Sequence, residues 1–310
     1  MTQLIGRIAY LFPGQGAQSV GMGKDFFIGN VAARRIFEEA DDALGFSLSA
    51  MCFEGPEEDL TKTINTQPAI LTMSIAVLEA SRTALAQGQS PSFTAGHSLG
   101  EYSALVAAGS MTFSDAVRLV RERGRLMQLA GDQREGAMAA VMGMPEETLA
   151  AICKETGVDM ANLNAPDQIV ISGTKEGVEK AQALAEERGA RRVVMLRVSA
   201  AFHSALMEPA VPGMLERLKD VSILNPNVTV ISNVTARPLE TPQAIVEELG
   251  QQIRNPVQWF RTVEYLRDQG VDTYIELGPG KVLTGLVKRV VPDANTINVG
   301  TLEELEALGG

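Results

Sequence analysis

The stretch Gly96-His97-Ser98-Leu99-Gly100 sets a serine between two glycines in the pattern Gly-x-Ser-x-Gly. The short apolar run Phe93-Thr94-Ala95 precedes it, after the turn-rich Gly88-Gln89-Ser90-Pro91, and the helix-forming run 101–108 follows. A turn that sharp between strand and helix leaves no room for a Cβ at either glycine and presents the serine hydroxyl at the sheet edge. Ser98 is therefore the candidate nucleophile. Its hydroxyl is weak at neutral pH and needs a base within hydrogen-bond reach, most often a histidine.

The chain has two histidines. His97 is covalently beside the serine, so its side chain should point away from it and serve packing. His203, in Ala200-Ala201-Phe202-His203-Ser204, is the candidate base, with a structural histidine as the alternative. The backbone N–H of Leu99 and a second N–H from the Gly14-Gln15-Gly16 loop would form an oxyanion hole. That loop lacks the spacing of a Walker or dinucleotide motif, which argues against a nucleotide there.

Arg123 gives a different clue. On a helical wheel of 112–130 it falls in the middle of the apolar face made by Ala116, Leu119, Val120, Leu126, Met127 and Ala130. Arg118, Arg121 and Arg125 lie on the opposite, solvated face. A guanidinium facing the core must be paired. Its partner is either a structural carboxylate or a carboxylate on the substrate, which the arginine fork suits.

The elements that would position these residues alternate strand and helix. Strands are expected at 7–12, 93–95, 228–232, 273–277 and 296–299. Helices are expected at 69–87, behind Asn65-Thr66-Gln67-Pro68, at 112–130, behind a Thr112/Asp115 capping pair, and from Ala205, Thr241, Pro256 and Gly280. Between them, 137–143, 145–156, 158–162, 168–172, 175–188 and 191–198 read as βαββαβ, the ferredoxin-like split unit. The fold class is α/β: a three-layer, hydrolase-like large domain with a mostly parallel sheet (1–132 and 200–310) and an inserted ferredoxin-like subdomain (133–199).

Composition narrows the function. The chain has 310 residues, is 45% hydrophobic and carries a formal charge of −11. That size supports a large core, and that charge argues against general nucleic-acid binding. No apolar run approaches the roughly 20 residues of a membrane span, and the start lacks signal-peptide features, so a cytoplasmic location is expected. Cys52 and Cys153 are the two cysteines, too few for a metal or disulfide framework, so no metal is expected.

Together, Phe12-Pro13-Gly14-Gln15-Gly16-Ala17-Gln18, the elbow through Glu101-Tyr102, Arg123-Gly124, Ala201-Phe202-His203-Ser204, Asn255-Pro256-Val257-Gln258-Trp259 and Glu276-Leu277-Gly278-Pro279-Gly280 resemble the malonyl-CoA:acyl carrier protein transacylases. The motifs come in the family's order along nearly the whole chain. The resemblance implies a Ser98–His203 dyad and an oxyanion hole from the backbone of Gln15 and Leu99. It implies that the backbone carbonyl of Gln258 orients His203. Arg123 would hold the malonyl carboxylate, and Phe202 would disfavour an α-methyl group. The substrates implied are malonyl-CoA and holo acyl carrier protein, with no cofactor, in fatty acid or polyketide synthesis. Arg191, Arg192, Lys281, Lys288 and Arg289 are candidate docking cations for the acidic carrier, and a monomer is expected. A serine hydrolase shares the elbow, but its histidine usually lies near the C-terminus, whereas about a hundred residues follow His203.

Overall fold

A computed structural model of the chain describes residues 6–86, 90–198 and 200–309. Among the described residues ten strands form two sheets: β1 (Arg7–Phe12), β2 (Phe93–Gly96), β3 (Gly136–Met142), β4 (Asp159–Ala165), β5 (Gln168–Thr174), β6 (Arg192–Met195), β7 (Thr229–Ile231), β8 (Pro238–Leu239), β9 (Val271–Leu277) and β10 (Asn295–Val299). The larger sheet has the order β10-β9-β1-β2-β7-β8, parallel throughout except for β8.

β1 shows why this sheet lies at the centre of three layers. Its residues alternate, with Ile8, Tyr10 and Phe12 packing into one apolar cluster and Ala9 and Leu11 into another on the opposite face. A strand buried on both faces reads as a continuous apolar run, as Ile8 to Phe12 does. The helix Thr63–Ala86 covers one face, and the helices Trp259–Asp268 and Val282–Val290 cover the other.

The second sheet has the order β4-β5-β3-β6, fully antiparallel, with helices Glu146–Thr156 and Lys175–Glu187 as crossovers. That is the strand order of the split βαβ unit. Its alternate residues Ala137, Ala139 and Val141 pack with Leu149, Ile152, Val178 and Ala181 into a cluster of their own. The edge strand β4 is tied back through Val257, whose N–H and carbonyl bond Ala161 and Leu163 at 2.8 and 2.9 Å.

Several boundaries differ from the sequence reading. The helix expected from Ala69 starts at Thr63, with Pro68 inside it, because the Asn65 and Thr66 N–H groups already bond the Lys62 carbonyl. At the sixth position of this helix, Pro68 forgoes the N–H bond to the Ile64 carbonyl, and the helix continues through it. The expected end of this helix at Gln87, the Gly88-Gln89 turn and Ser199 at the expected boundary lie outside the described residues. The helix expected from Pro256 starts at Trp259, since Val257 is engaged with β4. β6 stops at Met195 rather than Val198, where the Val198 N–H turns back to the Leu196 carbonyl. From Ala205 the chain first runs as a 3-10 turn to Ala210, and β8 and the helix Leu302–Gly309 had no anticipated counterpart.

Candidate active site

The elbow has the geometry its glycines require. A Cβ on Gly96 would sit 1.9 Å from the backbone of Gly100, and one on Gly100 would sit 2.1 Å from the Phe12 carbonyl oxygen. Ser98 takes a left-handed φ of 51°, uncommon for a residue with a side chain. The turn lifts its hydroxyl to the C-terminal edge of the parallel strands, where ligands bind in open α/β sheets.

His203 Nε2 lies 2.7 Å from Ser98 Oγ. His203 Nδ1 faces two backbone carbonyls, Gln252 at 2.9 Å and Asn255 at 3.1 Å. A carbonyl only accepts, so Nδ1 carries the proton and Nε2 is left as the acceptor toward Ser98. These contacts correct the expectation that Gln258 orients the histidine. The Gln258 carbonyl is occupied at the start of the next helix, accepting from Thr262 N–H at 2.9 Å. Burial and the neighbouring Arg123 charge push the His203 pKa down to about 3, so the ring is neutral at physiological pH. His97 points elsewhere, to Asn164 Oδ1 at 2.8 Å, with Trp259 beside it.

Arg123 is 1% exposed on the helix Phe113–Gln133, whose start is capped by Thr112 as expected. Its Nη1 donates to Gln67 Oε1 at 2.7 Å. Its Nη2 donates to Gln252 Oε1 at 2.7 Å and to Ser98 Oγ at 3.2 Å. Its Nε has no hydrogen-bond partner, and among the described residues no carboxylate lies within ion-pair distance of it. The structural-carboxylate alternative is therefore not what holds this charge. Two neutral amide oxygens do, and both are aligned by contacts of their own.

Gln252 joins the parts. Its Nε2 donates to the Ser98 carbonyl at 2.8 Å and to Glu101 Oε2 at 2.6 Å, its Oε1 accepts from Arg123, and its carbonyl accepts from His203. Glu101 is fully buried beside Glu248; burial first, and then the Glu248 charge, holds its carboxyl well above the usual carboxylate range. Burial raises Glu248 as well. Gln252, Gln67, Asn233 and Glu101 were all missed by sequence reasoning. A lone acid in the otherwise uncharged helix Gly100–Ala107 was the one available signal, and it pointed to Glu101.

Ser98, Leu99, Arg123, His203, Gln15 and Phe202 line one cavity of about 470 Å³. Met138 and Asn162 of the second sheet, with Leu196, Arg197 and Val198 after β6, supply its facing wall. It adjoins a second cavity of about 260 Å³ through Gln15, Thr61, Arg197, Val198 and Phe202. The five expected docking cations stand apart from both. Arg191 and Arg289 converge on Asp167, and Lys288 donates to the Pro292 and Ala294 carbonyls. Arg192 and Lys281 are exposed. The Glu276 motif is structural: its carboxylate caps the helix Val282–Val290 at the Leu283 and Thr284 N–H groups.

A family model described as an acyl transferase domain matches residues 9–303. The malonyl CoA-acyl carrier protein transacylase of Bacillus subtilis strain 168 is 50% identical over 305 residues, covering 97% of this chain and 95% of its own. This chain belongs to the malonyl CoA-acyl carrier protein transacylases, within the acyl transferase family. Its counterpart in Escherichia coli K12 is 44% identical, with 97% of both chains covered. Among solved structures, an acyl-carrier-protein S-malonyltransferase from Bartonella henselae superposes with a TM-score of 0.92 at 45% identity, covering 98% of this chain and 100% of its own. A malonyl-transacylase solved in complex with a type II PKS acyl-carrier protein reaches a TM-score of 0.93 at 41% identity, covering 97% and 98%. No helix among the described residues is long and apolar enough to cross a membrane.

Proposed function

We propose that this transacylase moves malonyl from malonyl-CoA to the phosphopantetheine thiol of holo acyl carrier protein through an ester on Ser98. Arg123 carries the reading: a buried cation, held by amides, beside the nucleophile at the base of the cavity. A malonyl carboxylate placed there supplies the anion that the protein does not. An acetyl group leaves the cation without one, which favours the dicarboxylic acyl group.

Neutral His203 accepts the Ser98 proton at Nε2 as Oγ attacks the thioester carbon. Its Nδ1–H stays on the Gln252 and Asn255 carbonyls, which stabilise the imidazolium as it forms. The N–H groups of Leu99, at the start of the helix Gly100–Ala107, and of Gln15 receive the oxyanion. When the tetrahedral adduct collapses, the C–S bond breaks and the His203 proton goes to the coenzyme A thiolate. In the second half the carrier thiol gives its proton to His203 and attacks the ester. The C–O bond then breaks and Ser98 recovers the proton. No step calls on a cofactor. Phe202, on the wall shared by the two cavities, restricts substituents on the malonyl α-carbon.

Residues 133–199 are read as an inserted subdomain, because β3 to β6 carry their own apolar core and supply only a wall of the site. Carrier docking through Arg192 and Lys281, the expected cations for which neither an ion pair nor a carbonyl bond is described above, remains part of this reading. So do a monomeric state and a cytoplasmic location.

The test is to incubate the protein with malonyl-CoA alone and analyse the Ser98 peptide by mass spectrometry. A malonyl adduct that added carrier protein discharges is the expected result. Absence of the adduct, or its rapid loss to water with no transfer to carrier, overturns the proposal.

A further inference from the structure

One polar residue beside the elbow lies outside the cavity lining and is bonded through all of its polar groups. Asn233, 1% exposed, follows β7 and uses every polar group it has. Its Oδ1 accepts from the Ser98 N–H at 2.7 Å, and its Nδ2 donates to the Gly96 carbonyl at 2.7 Å. Its own N–H donates to Glu101 Oε1 at 2.8 Å, and its carbonyl accepts from Gln258 N–H at 2.7 Å.

One carboxamide therefore spans the strained step of the elbow, bonding the backbone on either side of His97. Ser98 holds a φ of 51°, and its N–H, at the inside of the turn, finds its acceptor in Asn233. The main chain of the same residue anchors 255–258, the segment that supplies Asn255 as one of the two carbonyl acceptors of the base. Nucleophile and base are thus set from one point, by side chain on one side and by main chain on the other.

We infer that Asn233 is a positioning residue for acylation: its carboxamide fixes the left-handed turn at Ser98 and so sets the Ser98–His203 register. The inference rests on the proposed acylation of Ser98. Without the carboxamide the turn can relax, moving Oγ relative to Nε2 while the cavity and Arg123 stay as they are. A displacement on the order of 1 Å costs about a hundredfold in rate. Asn233→Ala keeps both main-chain bonds and deletes only the clamp.

The experiment is a double-mutant cycle on the rate of Ser98 acylation by malonyl-CoA, with affinity for malonyl-CoA measured separately. N233A is expected to slow acylation about a hundredfold with affinity within about twofold of wild type. In the His203→Ala background, where no register remains to lose, N233A should cost less than about threefold. A residue that merely supports the fold would cost the same in both backgrounds. Equal losses, or an N233A rate within about threefold of wild type, overturn the inference. If N233A does not fold, N233S carries the same cycle. A small phosphonylating serine reagent, which needs no malonyl carboxylate, is run in parallel. Labelling of wild-type Ser98 by that reagent without acylation by malonyl-CoA would refute the substrate assignment alone, and the cycle is then read on phosphonylation.

Discussion

Two surfaces face each other across the cavity, and they are built differently. On one side, the ends of the parallel strands β2 and β7 and the helices packed on that sheet carry Ser98, Asn233, Gln252 and Arg123, joined by side chain–backbone, guanidinium–amide and guanidinium–hydroxyl bonds of 2.7–3.2 Å. On the other, the antiparallel sheet contributes Met138 and Asn162, and the chain leaving β6 contributes Leu196, Arg197 and Val198. The first surface is a network in which each group fixes the next. The second is mostly apolar and gives the cavity its shape. Bond making is concentrated where geometry is over-determined, and fit to the substrate where side chains can repack.

The largest test of that division is at the elbow. Gly96→Ala should abolish measurable acylation and lower Tm by about 5 °C or more, because its Cβ would lie 1.9 Å from backbone that cannot withdraw. Calorimetry and the malonyl adduct assay check both halves. A folded, active G96A would mean the network is softer than its contacts indicate.

Next comes the cation. Arg123→Met should reduce malonyl transfer about a hundredfold or more and narrow its advantage over acetyl, measured with both thioesters. It should also move the pH profile. Burial and Arg123 hold the His203 pKa at about 3, so wild-type acylation has no histidine limb between pH 5 and 8. Removing a repelling positive charge favours the imidazolium, so the acid limb of R123M shifts upward. A limb that stays in place would separate Arg123 from the base.

A smaller effect is expected on the facing wall. Leu196→Ala should raise KM for malonyl-CoA a few-fold and leave the acylation rate constant within about twofold, the signature of lost uniform binding. A rate effect as large as at Arg123 would erase the contrast between the two surfaces.

The smallest expected effect concerns stability. Glu101 and Glu248 have carboxyls held above the usual range by burial, so the folded state keeps protons that the unfolded chain has released. Their contribution is fully present below the unfolded pKa of about 4.3 and is lost as pH rises through the raised folded values. Glu248→Gln should therefore raise Tm by about 2–4 °C at pH 8 and by less at pH 5. An equal gain at both pH values would show that no extra proton is retained there.

What could be read from the sequence was local or periodic. The paired glycines around Ser98, the Thr112 cap and the alternation of β3 to β6 are set by neighbours within a few residues, and Arg123 stood out because a helical period of 3.6 placed it among apolar residues. Asn233 and Gln252 gave no such sign. Their partners within 96–101 lie 132–154 positions away, and an amide on a mixed surface looks the same whether it meets water or a nucleophile. The Gln258 expectation failed by a few residues for a related reason: which carbonyl in 252–258 meets the imidazole depends on where the next helix begins, and that helix starts at Trp259 because Val257 is bonded to β4.

Gln252 is the last residue of the helix Pro242–Gln252. Through it the helix end grips the nucleophile's carbonyl, the cation and the base together. A shift of that helix end therefore strains all three contacts at once, so the three together oppose it. Successive visits by coenzyme A and by a carrier protein, differing greatly in bulk, can then deform the entrance while the reacting atoms keep a common frame.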